Sequence, residues 1–223
     1  MPQVLKDEVR ARIETAALQI FAERGYAGAK MTAIAERAGV GTASTYRYYA
    51  GKYELFHALV TPALAEEFES LLDRRVRALS RAFRAEATRG ADDIGDEMLR
   101  FWAEHRLAVV ILLDRAAGTD YAAFGARFVE RLVASTLADL HPRRGASAAA
   151  RFVLARIFDN TRRMLAAILE AHADERALRE AIEAFWSYQI PGLLGFARWS
   201  NRRPRRRLSP SERRVPPVTV PRP

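Results

Sequence analysis

Between Gly41 and Lys52 the chain reads GTASTYRYYAGK, a run in which most side chains can donate a hydrogen bond. Thr42, Ser44 and Arg47, with Ala43 among them, offer hydroxyl and guanidinium groups that can reach nucleic-acid bases or phosphates. Tyr46 and Tyr48 add phenol hydroxyls suited to phosphate oxygens. Lys52 opens the next helical pattern, so its charge joins the positive end of a helix dipole, where an anion is favoured. Elsewhere no serine or carboxylate pair stands in a recognisable catalytic setting. The sequence therefore gives no positive argument for an enzyme and implies no cofactor. His57, His105, His141 and His172 are too scattered to form a metal site.

Those donors need a scaffold, and the flanking residues supply one. Met31, Ile34, Ala35 and Ala38 recur at i, i+3, i+4 and i+7, the spacing of one helix face. Gly39 ends that helix, because glycine adopts the left-handed conformation without a side-chain clash. Val40 is expected to plug the turn, and Gly41 to Tyr48 to form a short second helix. Helix, glycine-containing turn and polar helix is the helix-turn-helix arrangement, whose second helix enters a DNA major groove. Ahead of it, Val9, Ile13, Ala16, Ala17, Ile20 and Phe21 mark the buried stripe of a helix over Leu5–Arg24, stopped by Gly25.

The stretch from Met31 to Phe56 resembles the N-terminal domain of the TetR family of bacterial transcriptional repressors. The resemblance rests on Ile34-Ala35, Ala38-Gly39-Val40, Tyr46-Arg47-Tyr48-Tyr49, Lys52, Leu55 and Phe56, in register. It covers about the first quarter of the chain. Two positions depart from the family pattern. Ala43-Ser44-Thr45 stands where Gly-Thr-Leu is usual, and Lys30 stands where a Ser or Thr often caps the helix. The resemblance implies a body that binds a small-molecule effector lowering DNA affinity. It also implies a homodimer formed through the last two helices, with Leu154, Ile168, Phe185 and Leu193 as candidates, and a palindromic operator in double-stranded DNA.

The charge is unevenly spread. The net +9 is mostly contributed by residues 202–223, which hold eight Arg and one Glu, while the middle of the chain is balanced. That neutral middle argues against extensive nucleic-acid contact there. The tail also holds six of the ten prolines and almost no large apolar side chain, so disorder is expected. No window has the ~18 uninterrupted apolar residues of a membrane span, and the N-terminus lacks an apolar signal core. A cytoplasmic protein with no membrane association is expected. With no cysteine there are no disulfides or thiolate sites.

The remaining periodicity is helical throughout, so the expected fold is all-α. Residues 1–52 are read as the DNA-binding head, 53–201 as a helical ligand-binding and dimerisation body, and 202–223 as a disordered Arg/Pro-rich tail. A bridging helix starts at Lys52, with Tyr53, Phe56, Leu59 and Val60 on its stripe, and Pro62 is expected to kink it or begin a new segment. Thr88 to Asp93 reads as a loop and Pro142 to Gly145 as a basic turn. Leu107 to Leu113 is apolar all round and should be central. The stripe Met98, Phe101, Trp102, His105, with Tyr121, Phe124, Phe128 and Phe158, could line a cavity, with His105, Tyr121 or Asn160 as polar handles. Two long helices close the body, near Ala148–His172 and Glu175–Ser200, the second expected to kink at Pro191. The leading expectation is a repressor released from its operator by a mostly apolar molecule. An architectural DNA-binding protein without a ligand, its Arg tail coating the duplex, is the alternative. A third reading is a carrier or enzyme with a vestigial head. The balanced body and the Lys52 register oppose it.

Overall fold

In a computed structural model, which describes residues 3–85, 91–140 and 146–200, helix α1 runs Gln3–Gly28 and is broken at Gly25, where φ is 68°. Its stripe of Ile13, Ala16, Ala17, Ile20 and Phe21 is buried as expected, and Val9 is half-buried. Helices α2 (Met31–Ala38), α3 (Thr42–Tyr46) and α4 (Lys52–Leu59) follow. Leu55 and Phe56 of α4 are fully buried. Phe56 packs edge-on against Phe21 and Tyr26 at centroid distances of 5.4 and 5.0 Å. Tyr53, expected on the same stripe, is instead exposed and donates to Asp120 Oδ2 at 3.1 Å. The chain turns at Val60, and Pro62 opens a new helix, α5 (Pro62–Ala85), in the one helical position where its missing N–H costs nothing.

The body consists of α5, α6 (Ala91–Glu104), α7 (Arg106–Val110), α8 (Phe124–Leu140), α9 (Ala148–Ala171) and α10 (Glu175–Ser200). Among the described residues there is no strand. Residues 91–93, expected in a loop, are already helical. The rest of that expected loop up to residue 90, the basic turn at 142–145 and the tail 202–223 lie outside the described residues. α10 continues through Pro191 to Ser200 as one helix. No described helix is long and apolar enough to cross a membrane. Phe68 of α5 is the aromatic centre of the body, with Phe101 and Phe124 stacked on it at 5.8 and 5.7 Å and Phe128 at 6.0 Å.

The central apolar run behaves as its composition demands. Ala108 to Leu113 are all buried, and from Ile111 to Arg115 the helix widens into a single π-helical turn. Such a turn leaves carbonyls poorly paired, and Arg162 of α9 answers one of them. Its Nη1 donates to Leu113 O and to Asp114 Oδ1, both at 2.6 Å, while Nη2 donates to Asp159 Oδ1 at 3.0 Å. Burial by itself would raise the Asp159 carboxyl. The Arg162 hydrogen bond and the nearby arginines outweigh it and hold that carboxyl below the usual range. A charge taken out of water is tolerated when its donors are all answered. On the other side α8 comes so close that a Cβ on Gly125 would lie 2.3 Å from Leu113 O. Gly125→Ala should therefore lower stability by about 1–3 kcal/mol through forced separation of α8 from the π turn. Urea unfolding followed by circular dichroism checks this, and an unchanged midpoint would mean that the two backbones are not held in contact.

Candidate nucleic-acid interface and body cavity

The turn between α2 and α3 is built from backbone pairing that only glycine permits. Gly39 sits at φ 65° and ψ 37°, Val40 N–H donates to Ala35 O at 3.0 Å, and Gly39 N–H donates to Glu36 O at 3.0 Å. This is the paired closure of a Schellman motif. Arg12 of α1 completes it, donating from Nε to Ala38 O at 2.9 Å and from Nη2 to Gly39 O at 2.8 Å. A Cβ on residue 39 would also lie 3.0 Å from that Nη2, so the glycine is required twice over. Val40, expected to be a buried plug, is only half-buried. Lys30, at the cap position of α2, makes no side-chain cap hydrogen bond.

α3 is held from below by Thr45, which is fully buried. Its hydroxyl has no hydrogen-bond partner, a state that costs about 1–3 kcal/mol relative to an apolar side chain of the same shape. With Thr45 inward, Ala43, Tyr46 and Arg47 are exposed, and Thr42, Ser44 and Tyr48 are half-exposed. Ser44 Oγ accepts from Arg47 Nη2 at 2.7 Å, so these two side chains share one surface patch. Tyr49 takes the opposite role: it is buried, donates to Glu14 and accepts from Arg10 Nε at 3.2 Å. Burial, reinforced by the bond to Glu14, raises the Tyr49 hydroxyl above its ordinary value, keeping it a neutral donor.

Lys52 is turned inward. Its Nζ donates to Tyr26 O at 2.7 Å and Ala29 O at 3.0 Å, and it lies 4.4 Å from the centre of the Tyr26 ring. Two of its three donors therefore satisfy carbonyls where α1 hands over to α2, and the side chain acts as a tie between α1 and α4. Sequence reading gave it the role of a phosphate donor because the helix start was legible and the nearby carbonyls were not. Arg12 and Tyr49 were missed as anchors of the turn for the same reason, since each acts across a long sequence separation.

The body holds an apolar cavity of about 280 Å³ between α5, α6, α8, α9 and α10. Met98, Trp102, Phe128 and Phe158 line it. The other expected lining residues do not. Phe101 and Phe124 are spent on stacking against Phe68. Tyr121 precedes α8 and sits against Phe56 and His57. His105 lies at the break between α6 and α7, against Phe101. Asn160 is exposed, one residue round the helix from Thr161, which does face the cavity. Thr161 Oγ1 is already engaged, donating to Ile157 O and accepting from the buried Gln189 at 2.9 Å. The lining missed by sequence reading comes mainly from α5, with Leu72, Val76 and Leu79, and from α10, where Trp186, Ile190, Leu193 and Leu194 recur at helical spacing.

Among the described residues no group of acidic or histidine side chains could hold a metal ion. The head has the form of a helix-turn-helix unit: a supporting helix, a glycine turn fixed by its own backbone, and a short helix with its polar side outward. Residues 13–59 match the family model described as bacterial regulatory proteins, tetR family. Over these residues the chain matches the N-terminal, DNA-binding domain of the TetR family. It is 40% identical over 55 residues to the HTH-type transcriptional activator FasR of Mycolicibacterium smegmatis, covering 25% of each chain. It is 43% identical over 67 residues to the HTH-type transcriptional repressor KstR of Rhodococcus jostii, covering 30% of each. The matched part thus spans a quarter to a third of the length of these curated relatives. A solved tetR-family regulator from Streptomyces coelicolor aligns over 87% of this chain and 88% of its own, with 18% identity and a TM-score of 0.38.

The geometry at Lys52 sets an expectation. Lys52→Met keeps the stem and removes the tie, so it should destabilise the protein by about 1–3 kcal/mol and leave the salt dependence of DNA affinity unchanged. Thermal unfolding and a salt titration check both. A salt slope lowered by about one unit, with stability intact, would instead put the ammonium on a DNA phosphate.

Proposed function

We propose that the chain is a homodimeric, sequence-specific DNA-binding transcriptional regulator, acting as a repressor that a mostly apolar small molecule releases from its operator. The observation that carries this reading is the outward patch of α3 on a turn locked by Gly39 and Arg12, within the segment that matches the family model. Thr42, Ala43, Ser44, Tyr46, Arg47 and Tyr48 face the duplex, with Arg47 and Ser44 at base edges or phosphates and the tyrosines on phosphates. Lys52 serves the interface by fixing α1 against α4. Of the two curated relatives named above, KstR is a repressor and FasR an activator, and repression is the reading put to the test. The head ends near residue 52, and residues 53–201 hold the effector and the partner.

The dimer is proposed to form through α9 and α10. Large apolar side chains left exposed in the body cluster there: Phe152, Val153 and Met164 on α9, Tyr188 and Trp199 on α10. Val153 and Met164 are eleven residues apart, as are Tyr188 and Trp199, which puts each pair about three turns apart on one helix face. Large apolar side chains left exposed on two helices that pack together favour association there. Leu154 and Ile168, candidates for the interface by position, are buried within the protomer, and Leu193 lines the cavity, so they do not serve this contact.

A footprinting experiment tests the function. The wild-type chain should protect two half-sites of one palindrome, their centres about 34–36 Å apart along the duplex. Arg47→Ala should weaken that site by roughly 1–3 kcal/mol relative to random DNA. Protection spread evenly along any duplex would favour the architectural reading instead, and a stable monomer in light scattering at micromolar concentration would remove the dimer.

A further inference from the structure

Three buried side-chain atoms have no hydrogen-bond partner among the described residues: Thr45 Oγ1, His57 Nε2 and Trp102 Nε1. Of these three residues, Trp102 alone lines the body cavity. It stands on α6 and is 4% exposed. Its side chain is part of the wall of the cavity and of a second recess of about 210 Å³ between α5, α6 and α10. Buried donors are nearly always answered, because a lone one forfeits the hydrogen bond it made to water. An indole N–H can only donate. The partner that suits it is therefore an acceptor, and no described residue supplies one.

The rest of the lining decides the charge of that acceptor. Among the described residues, Arg75, Thr136, Thr161 and Trp186 are the others that bring a side-chain nitrogen or oxygen to the cavity wall. Arg75 is already engaged. Its charge helps hold the Asp96 carboxyl below the usual range, behind the hydrogen bond that Arg179 donates to that carboxyl at 2.9 Å. Thr161 Oγ1 donates to Ile157 O and accepts from Gln189. Thr136 and Trp186 are neutral and half-buried. The described lining thus has no spare cation for an anionic guest, and no carboxylate for a cationic one. A charge brought in without a counter-charge loses its hydration and recovers little. A neutral carbonyl loses far less and gains the indole N–H.

We propose that the cavity takes an uncharged, mostly apolar molecule whose carbonyl oxygen accepts a hydrogen bond from Trp102 Nε1. This rests on the reading of the cavity as the effector site and names the class of effector: a neutral carbonyl compound, to the exclusion of anionic and cationic amphiphiles.

Three compounds of similar size test it: butyrophenone, with a neutral carbonyl; butylbenzene, with no polar atom; and phenylbutyrate, ionised at about pH 8. Calorimetric titration of the full chain should place butyrophenone above butylbenzene by roughly three- to tenfold, the worth of one neutral hydrogen bond. Phenylbutyrate should bind at least about tenfold more weakly than butyrophenone. Trp102→Phe should bring butyrophenone down to the level of butylbenzene, whose binding also reports that the variant is folded. Nitrogen-15 labelling of the indoles gives a readout on the unaltered chain, which has three tryptophans. The Trp102 signal, assigned by elimination through Trp186→Phe and Trp199→Phe, should move downfield with butyrophenone and not with butylbenzene. Equal binding of those two compounds, or a Trp102 signal that does not tell them apart, overturns the proposal and leaves the cavity as an effector site. Tightest binding by phenylbutyrate does the same. Binding of none of the three overturns the proposal together with that reading.

Discussion

Helix α1 is buried on two sides at once, and the rest of the structure depends on that. Toward the head it carries Ile13, Ala17 and Arg12, which seat α2 and cap its last carbonyls. Toward the body it meets the π-helical turn, where Arg115 Nε donates to Ala22 O at 3.0 Å and a Cβ on Gly25 would lie 3.5 Å from Arg115 O. Fully burying Ile20 and Phe21 between these layers is worth about 1.5–3 kcal/mol each. The head therefore cannot tilt without disturbing the π turn.

The π turn is itself tied to α9. Arg162 reaches Leu113 O and Asp114 from mid-helix, Arg115 lies 3.6 Å from Glu170, and Arg106 donates to Leu169 O at 2.6 Å near the end of α9. A second strut joins α4 to the segment before α8, through the hydrogen bond from Tyr53 to Asp120, with His57 Nε2 3.5 Å from the same carboxylate. The helix proposed to meet the partner, the wall of the cavity and the helix that supports recognition thus form one connected set of contacts. A ligand that separates α5 from α10 acts on this set only as far as it prefers one arrangement over the other. A coupling of about 1–3 kcal/mol corresponds to a change of roughly 5- to 150-fold in DNA affinity.

Much of this was legible in the sequence where it is written locally. The Ala38-Gly39 stop, the start at Lys52 and the ends of the last two helices follow from glycine chemistry and helical periodicity, and the structure has them within a residue or two. The helical type of the body was legible for the same reason. What could not be read was which side of a helix meets which neighbour. Phe101 and Phe158 look alike in sequence, yet one stacks on Phe68 and the other lines the cavity. Asn160 and Thr161 differ by one position and by a full change of environment. The inward turn of Lys52 and the burial of Arg162 depend on carbonyls that come from 23 to 49 residues away.

The central claim is that α1 and the π turn convert occupancy of the body cavity into the position of the head. Because the chain has no cysteine, Glu36→Cys gives one spin-label site per protomer on the exposed side of α2. Pulsed dipolar spectroscopy on the proposed dimer then measures the separation of the two heads directly. The account predicts a narrow distribution when operator is bound, compatible with recognition helices about one turn of DNA apart, ~34–36 Å, and a distribution displaced from it when the cavity is filled. The same distribution with and without a bound cavity ligand would contradict it.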